Sequence, residues 1–369
     1  MSPPLPSELI FFVTSHCNLH CRHCFNWQNL QRSKDLSLNE IEGLARSLPT
    51  LKNLLLSGGE PFLRKDLVEI CRLFVRYGRV SAIDIPTSGT LIERTVSTVK
   101  EILCIEPVFN LQVGISLDGL ETFHDNNRGV EGTFNKAVEC CRQLLELKKT
   151  TRRLKVNILT TLTQDNKQEL LALKNYVAKN FPTLDNLYWG VARGDTQLEA
   201  DKSLRTEDLE EVDRQFLAYE EQKTGSKSKE LVRRFYALRR KAHAEQKQPL
   251  PCVAASKIAV VYDEGSVAPC ELLPPVGNIR DESFDVIWRS VEMQRARQQI
   301  AAGSCSCTHE CFLFPSFEAF LLERPLTLIK LAGMDGIVKL LTVKFRLDGL
   351  VSRIRGYIGK ISWKDRREP

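Results

Sequence analysis

The stretch that decides the fold is Glu8-Leu9-Ile10-Phe11-Phe12-Val13-Thr14, followed by Ser15-His16-Cys17-Asn18-Leu19-His20-Cys21-Arg22-His23-Cys24. Its first seven residues form an apolar run rich in β-formers, which predicts a buried strand. At the end of that strand come three cysteines in a CxxxCxxC spacing, close enough to turn toward one metal centre. Three thiolates are one short of the four that complete an iron–sulfur cluster or a structural zinc site. Three readings fit these residues. The cysteines hold three irons of a [4Fe–4S] cluster whose fourth iron takes a small chelating cofactor. Alternatively His16, His20 or His23 adds a nitrogen and closes a zinc site, or the thiols are reduced packing residues with no ligand role.

Outward from this loop the chain alternates strand-like and helix-like segments. Ser37-Leu38-Asn39-Glu40 has the Ser-x-x-Glu form of a capping box and opens a helix through Leu48. Leu51–Leu56 reads as a strand ending in Ser57-Gly58-Gly59-Glu60-Pro61, and Asp66–Tyr77 as a helix. Val80–Ile85 ends in Pro86-Thr87-Ser88-Gly89; Ile92–Leu103 is helical; Asn110–Leu117 ends in Asp118-Gly119. Helix Thr133–Lys148, strand Leu154–Thr161, helix Asn166–Asn180 and strand Leu184–Val191 complete the pattern, the last ending in Arg193-Gly194. Six strands alternating with five helices predict an α/β fold of parallel units, either an open sheet or a partial barrel. Ligands bind such folds at the carboxyl ends of the strands, where all these loops fall.

The chain has 369 residues, which suggests about two domains, with a core of ordinary size. Met1-Ser2-Pro3-Pro4-Leu5-Pro6 lacks the basic start and apolar stretch of an export signal, and a cytoplasmic location is expected. Thiols stay reduced there, so the twelve cysteines read as metal ligands before disulfides. Cys17, Cys21 and Cys24 form one group; Cys252, Cys270, Cys305, Cys307 and Cys311 form another. Cys71, Cys104, Cys140 and Cys141 lie in helix-like segments and are expected to pack. Of the formal charge of +6, +5 lies between Ser316 and Pro369. The basic excess therefore belongs to the tail and does not mark a nucleic-acid-binding body.

The first two hundred residues resemble a radical S-adenosylmethionine (SAM) enzyme core. The cysteine motif and Gly58-Gly59-Glu60 match that family, whose usual Thr-Asn-Gly is Thr-Ser-Gly here. The resemblance implies a partial (β/α)6 TIM-like barrel in which Cys17, Cys21 and Cys24 ligate a [4Fe–4S] cluster and SAM chelates its fourth iron. It places Glu60 at the SAM ammonium beside Gly58 and Gly59. Thr87, Ser88, Ser116 and Asp118 fall near the methionyl and ribose groups, Arg193 near the carboxylate, and His23 beside the cofactor. It further implies reductive cleavage of SAM to a 5′-deoxyadenosyl radical that abstracts a substrate hydrogen. The electron would come from a donor such as a flavodoxin or ferredoxin. The expected substrate is a peptide or a small molecule such as a sugar or lipid-linked intermediate.

Further along, Leu209, Val212, Phe216 and Tyr219 recur at helical spacing, and a second helix runs through Ala242 after a break at Thr224–Ser228. These predict a helical connector with a solvated basic face. Cys252 and Cys270 flank a hairpin signal built on Lys257–Tyr262 and Asp263-Glu264-Gly265, and Phe284–Arg297 reads as a helix. With Cys305, Cys307 and Cys311 this resembles the SPASM or Twitch extension that holds an auxiliary [4Fe–4S] cluster. The shorter, single-cluster Twitch form suits five cysteines. On the resemblance Cys252, Cys270 and Cys311 are the firmer ligands, with the fourth from Cys305 or Cys307. The expected divisions are a core over 1–196, a connector over 197–250, a cluster domain over 251–315 and a tail over 316–369. The tail reads either as an amphipathic segment touching an anionic membrane or substrate, or as helices packed on the body. The competing function is a zinc-binding interaction protein in which both cysteine groups are structural and the second is a zinc ribbon.

Overall fold

The computed structural model describes residues 3–32, 34–107, 109–197, 204–224, 229–303 and 305–322. Its strands are β1 Glu8–Phe12, β2 Asn53–Ser57, β3 Ala82–Thr87, β4 Asn110–Ser116, β5 Leu154–Leu162, β6 Asn186–Val191, β7 Ile258–Val261, β8 Ser266–Ala268 and β9 Gly277–Asn278. The helices before β7 are α1 Leu38–Ser47, α2 Leu67–Leu73, α3 Ile92–Leu103, α4 Glu121–Arg128, α5 Thr133–Lys148, α6 Lys167–Asn180, α7 Thr206–Thr224 and α8 Lys229–Glu245. After β9 come α9 Phe284–Arg289, α10 Val291–Ala301 and α11 Glu310–Leu322.

All strands share one sheet in the order β6-β5-β4-β3-β2-β1-β7-β8-β9. β1 to β6 are parallel throughout, each joined to the next by helix. With β6 and β9 at opposite edges the sheet does not close, which agrees with the partial barrel that the resemblance implies. Register explains the apolar spacing. Leu9, Leu54, Ile83 and Leu111 are paired neighbours on one face and all are buried. One residue further along, Ile10, Leu55, Asp84, Gln112 and Lys155 form a row on the other face, where polar groups appear.

Local chemistry sets the helix ends. Ser37 accepts from the Glu40 amide at 3.4 Å while Glu40 accepts from the Ser37 amide at 2.7 Å, completing the predicted capping box. Ser290 interrupts the helix expected over Phe284–Arg297 and caps the second half, its hydroxyl accepting from the Met293 amide at 3.1 Å. α4 was not anticipated, because Glu-Thr-Phe-His-Asp-Asn-Asn-Arg is mostly weak helix formers and has no side-chain N-cap. Cys71, Cys140 and Cys141 are buried as expected. Cys104 is exposed instead, since it stands at the C-cap of α3 rather than on its inner face.

The connector is anchored more firmly than its polar composition suggests. Leu209, Val212, Phe216 and Tyr219 are buried, and so is Arg239 of α8. The Arg239 guanidinium lies 3.5 Å from the Trp189 ring centre and pairs with Asp213 at 2.9 Å and Glu310 at 3.0 Å. The predicted cysteine-flanked hairpin extends the main sheet: β7 runs parallel to β1, with Leu9 opposite Ala259 and Phe11 opposite Val261. β8 then pairs antiparallel to β7. α11 continues across position 315, and residues 323–369, including most of the expected tail, lie outside the described residues. Among the described residues no helix is long and apolar enough to cross a membrane.

Phe11 sits at the centre of this arrangement, fully buried on β1 and 6.0 Å from the Phe74 ring. Phe11→Ala is expected to lower unfolding free energy by about 3–5 kcal/mol, read from the denaturant midpoint at constant slope.

Candidate active site

The cysteine loop leaves β1 and is pressed from one side by the loop after β2. Gly58 adopts a φ of +143°, and a Cβ there would meet the Thr14 carbonyl oxygen at 2.4 Å. A Cβ on Gly59 would meet the His16 carbonyl oxygen at 2.2 Å. The room these glycines leave is taken by hydrogen bonds from Gly59 N–H to Thr14 O and from Glu60 N–H to His16 O, both 2.8 Å. The close approach that glycine permits is therefore to the chain's own cysteine loop.

Glu60 is buried, and its two oxygens take four donors. Oε1 accepts from Phe62 N–H at 3.2 Å and Thr87 Oγ1 at 2.9 Å; Oε2 accepts from the Ser88 amide and hydroxyl, each at 2.7 Å. Burial raises its carboxyl even against those donors. The contacts continue through Ser88 Oγ to Thr90 Oγ1 at 2.9 Å and from there to Asn18 Nδ2 at 2.9 Å. Glu60 thus ties the Thr87-Ser88-Gly89 loop to the cysteine loop.

Asp118 does the same on the other flank. Its Oδ2 accepts from Arg128 Nε at 2.8 Å and Nη2 at 2.7 Å, and from Asn127 Nδ2 at 3.1 Å; Oδ1 accepts from the Thr161 amide at 3.1 Å. Burial opposes its charge, but the Arg128 guanidinium and the His23 and His124 imidazoles outweigh that and hold the carboxyl at about 2. His23 Nδ1 lies 2.9 Å from Asn127 Nδ2, and its Nε2 lies 3.8 Å from Asp118. Ser116 stands at the carboxyl end of β4, two residues before this cluster. At the cysteine loop a cleft of about 220 Å³ opens, lined by His20, Cys21, Cys24, Trp27 and Gln31 among others.

The sulfurs are prepared individually. Cys17 receives the Leu19 amide, Cys24 the Asn26 amide, Cys270 the Leu272 amide at 3.4 Å and Cys307 the His309 amide at 3.2 Å. An amide two residues on, aimed at the sulfur, suits a thiolate that holds metal. Burial pushes Cys17 and Cys307 up to about 12 and Cys270 to about 11, so incoming iron must displace their protons. All five cysteines of the second group, Cys252, Cys270, Cys305, Cys307 and Cys311, are partly exposed. Among the described residues no three His, Cys, Asp or Glu side chains converge at the spacing of a single bound ion. The donor sets fit two iron–sulfur clusters, each seated on several sulfurs.

Arg193 connects the two cysteine groups. Its guanidinium lies 4.2 Å from the centre of the Phe25 ring, next to Cys24, and pairs at 3.1 Å with Glu271, next to Cys270. Glu271 Oε2 is also 2.9 Å from His309 Nδ1, between Cys307 and Cys311. Burial opposes the Glu271 charge, and Arg193 with His309 holds its carboxyl at about 2. Neither Glu271 nor His309 carries a periodic signal, and Arg128 is marked only by Gly129, the left-handed helix cap after it.

Residues 11–177 match the family model described as the radical SAM superfamily, and residues 252–312 match SPASM, an iron–sulfur cluster-binding domain. The chain belongs to the radical SAM superfamily, with a SPASM-type domain after its core, and it is an enzyme. The family's cofactors are a SAM-binding [4Fe–4S] cluster, SAM itself and auxiliary iron–sulfur ligation. The Fe-coproporphyrin III synthase of Methanosarcina barkeri is 31% identical over 186 residues, covering 47% of this chain and 44% of that protein. That match therefore spans less than half of the relative. An AdoMet-dependent heme synthase of Oleidesulfovibrio alaskensis is 25% identical over 314 residues, covering 80% of this chain and 78% of that protein. Among solved structures, Streptococcus suis SuiB superposes with a TM-score of 0.60 at 16% identity, covering 80% of this chain and 68% of that one. anSMEcpe with bound AdoMet gives 0.56 at 18% identity, covering 89% and 99%. Both likenesses establish the fold.

Asp118 carries a pH prediction with a definite sign. Its carboxyl is depressed from the ordinary 3.8 to about 2, so its charge stabilises the fold above pH 4 and that contribution is lost as pH falls toward 2. Asp118→Asn should cost about 2 kcal/mol at pH 7 from charge alone, and thermal unfolding should show the gap from wild type closing between pH 4 and 2.

Proposed function

We propose that this enzyme oxidises or otherwise modifies a peptide or small-molecule substrate by hydrogen abstraction at the cleft beside Cys21 and Cys24, with one auxiliary cluster completing the reaction. The observation that carries this reading is the Arg193–Glu271–His309 link, which joins the cysteine loop after β1 to the second cysteine group. When bound, a SAM-coordinating cluster would supply reductive cleavage of SAM and hydrogen-atom abstraction, and an auxiliary cluster would supply an acceptor for the electron left on the substrate.

The residues divide accordingly. Cys17, Cys21 and Cys24 would hold the first cluster. Gly58, Gly59, Glu60, Thr87 and Ser88 form the flank toward the methionyl end of SAM, and Ser116 and His23 the flank toward its ribose. Asp118 and Arg193 act one step back, since each is bound to an oppositely charged partner. Cys252, Cys270 and Cys311, with Cys305 or Cys307 as the fourth ligand, would hold the auxiliary cluster, a reading supported by the amides aimed at Cys270 and Cys307. Burial of Glu60, Thr87 and Asp118 limits water around the reacting groups. A small reduced redox protein of the flavodoxin or ferredoxin class would supply the electron. Both substrate classes have precedent among relatives: heme synthases and a bacteriocin biosynthesis protein, AlbA of Bacillus subtilis, 25% identical over 301 residues.

Anaerobic reconstitution with iron and sulfide should give about eight irons per chain, four for each cluster. Incubation with SAM and a reductant should release 5′-deoxyadenosine. Changing Cys17, Cys21 and Cys24 together to Ala should abolish that release. Changing Cys252 and Cys270 together to Ala should lower iron to about four per chain while sparing SAM cleavage. Zinc in place of iron, with no SAM cleavage, would contradict the proposal.

A further inference from the structure

The cysteine loop rests on the carboxyl end of α4, a helix with no cysteine of its own. His20 N–H donates to Arg128 O at 3.1 Å and Arg22 N–H to Asn127 O at 2.9 Å, so two residues flanking Cys21 are bonded to the last turn of the helix. Gly129 closes that turn at a φ of +73°, and a Cβ there would stand 3.0 Å from His20 O. Side chains add to the clasp through the Asn127–His23 contact already described.

Within this clasp the Arg128 guanidinium is fully oriented. Nε and Nη2 both bind Asp118 Oδ2, and Asp118 is itself fixed by Asn127 and the Thr161 amide. The remaining terminal nitrogen, Nη1, points at Cys21 Sγ at 3.5 Å. Cys17 and Cys24 are each served by an amide two residues on. At Cys21 the donor is a buried cation held by a carboxylate.

We propose that Arg128 is a positioning residue for the first cluster, donating a hydrogen bond to the Cys21 sulfur and thereby setting that cluster's reduction potential. The inference rests on the reading that Cys17, Cys21 and Cys24 hold that cluster. Hydrogen bonds to ligating sulfur stabilise the more negative, reduced state and raise the potential. A guanidinium suits this because its planar fork can bind a carboxylate and still present an N–H elsewhere, which a lysine ammonium does not reproduce. Arg193 is the second cation acting on the loop, through Cys24, and must be separated from Arg128 in any test.

The experiment uses the reconstituted full-length chain with 15N-labelled arginine, reduced and examined by pulsed EPR. The first cluster is the one whose spectrum changes when SAM is added. A 15N coupling to it should appear in wild type, persist in Arg193→Lys and vanish in Arg128→Lys. In Arg128→Gln the reduction equilibrium of that cluster should fall at least about tenfold, 59 mV for one electron, with the other cluster unmoved. Absence of the coupling in labelled Arg193→Lys would overturn the proposal, as would an unchanged potential in Arg128→Gln. Should Arg128→Gln fail to load a cluster, the labelled wild type and Arg193→Lys still decide. A protein with no SAM-responsive cluster would overturn the proposed function as well, whereas a SAM-responsive cluster without arginine coupling would overturn only the role of Arg128.

Discussion

Three thiols are presented together before any metal arrives only if the loop that carries them is held by other contacts. Here the constraint is met by backbone pressed against backbone. Gly59 lies so close to His16 that no side chain fits between them, and the end of α4 bonds to His20 and Arg22 from the opposite flank. Both clamps are backed by a buried carboxylate, Glu60 on one side and Asp118 on the other. Each carboxylate comes from the carboxyl end of a parallel strand, so the sheet order determines which loops can meet.

The same sheet brings the second cysteine group into place. Because β7 pairs with β1, the hairpin joining Cys252 to Cys270 begins beside the strand that delivers Cys17. Arg193, at the end of β6, then spans from Phe25 to Glu271. A buried ion pair of this kind contributes little net stability compared with apolar packing, so its value lies in fixing one arrangement. Arg239 has a comparable role in the connector, where Asp213, Glu310 and Trp189 hold α8 against β6 and the start of α11.

Much of this was legible in the residues. The strands and helices of the core follow from runs and periodicities within ten or so residues, and the Ser37–Glu40 box announces its helix directly. The cysteine spacing and Gly58-Gly59 mark where the site lies. What the sequence could not show are contacts whose partners are far apart along the chain. The pairing of β7 with β1 joins residues some 250 positions apart, and Arg193–Glu271 joins residues 78 apart. Arg128 lies in a short polar helix without a capping signal, and its meaning appears only when Asp118 and Cys21 are seen on either side of it. The donors that engage the oxygens of Asp118 come from Arg128, Asn127 and Thr161, and no local pattern joins them to it.

The central claim is that the loop after β1 carries a cluster with one position left for SAM. The most direct measurement is the EPR spectrum of the anaerobically reconstituted, reduced protein, recorded with and without SAM. The account predicts that SAM alters the signal of one cluster, and that this signal is missing when Cys17, Cys21 and Cys24 are replaced by Ala. A spectrum indifferent to SAM, or a SAM-responsive signal that survives loss of those three cysteines, would contradict it.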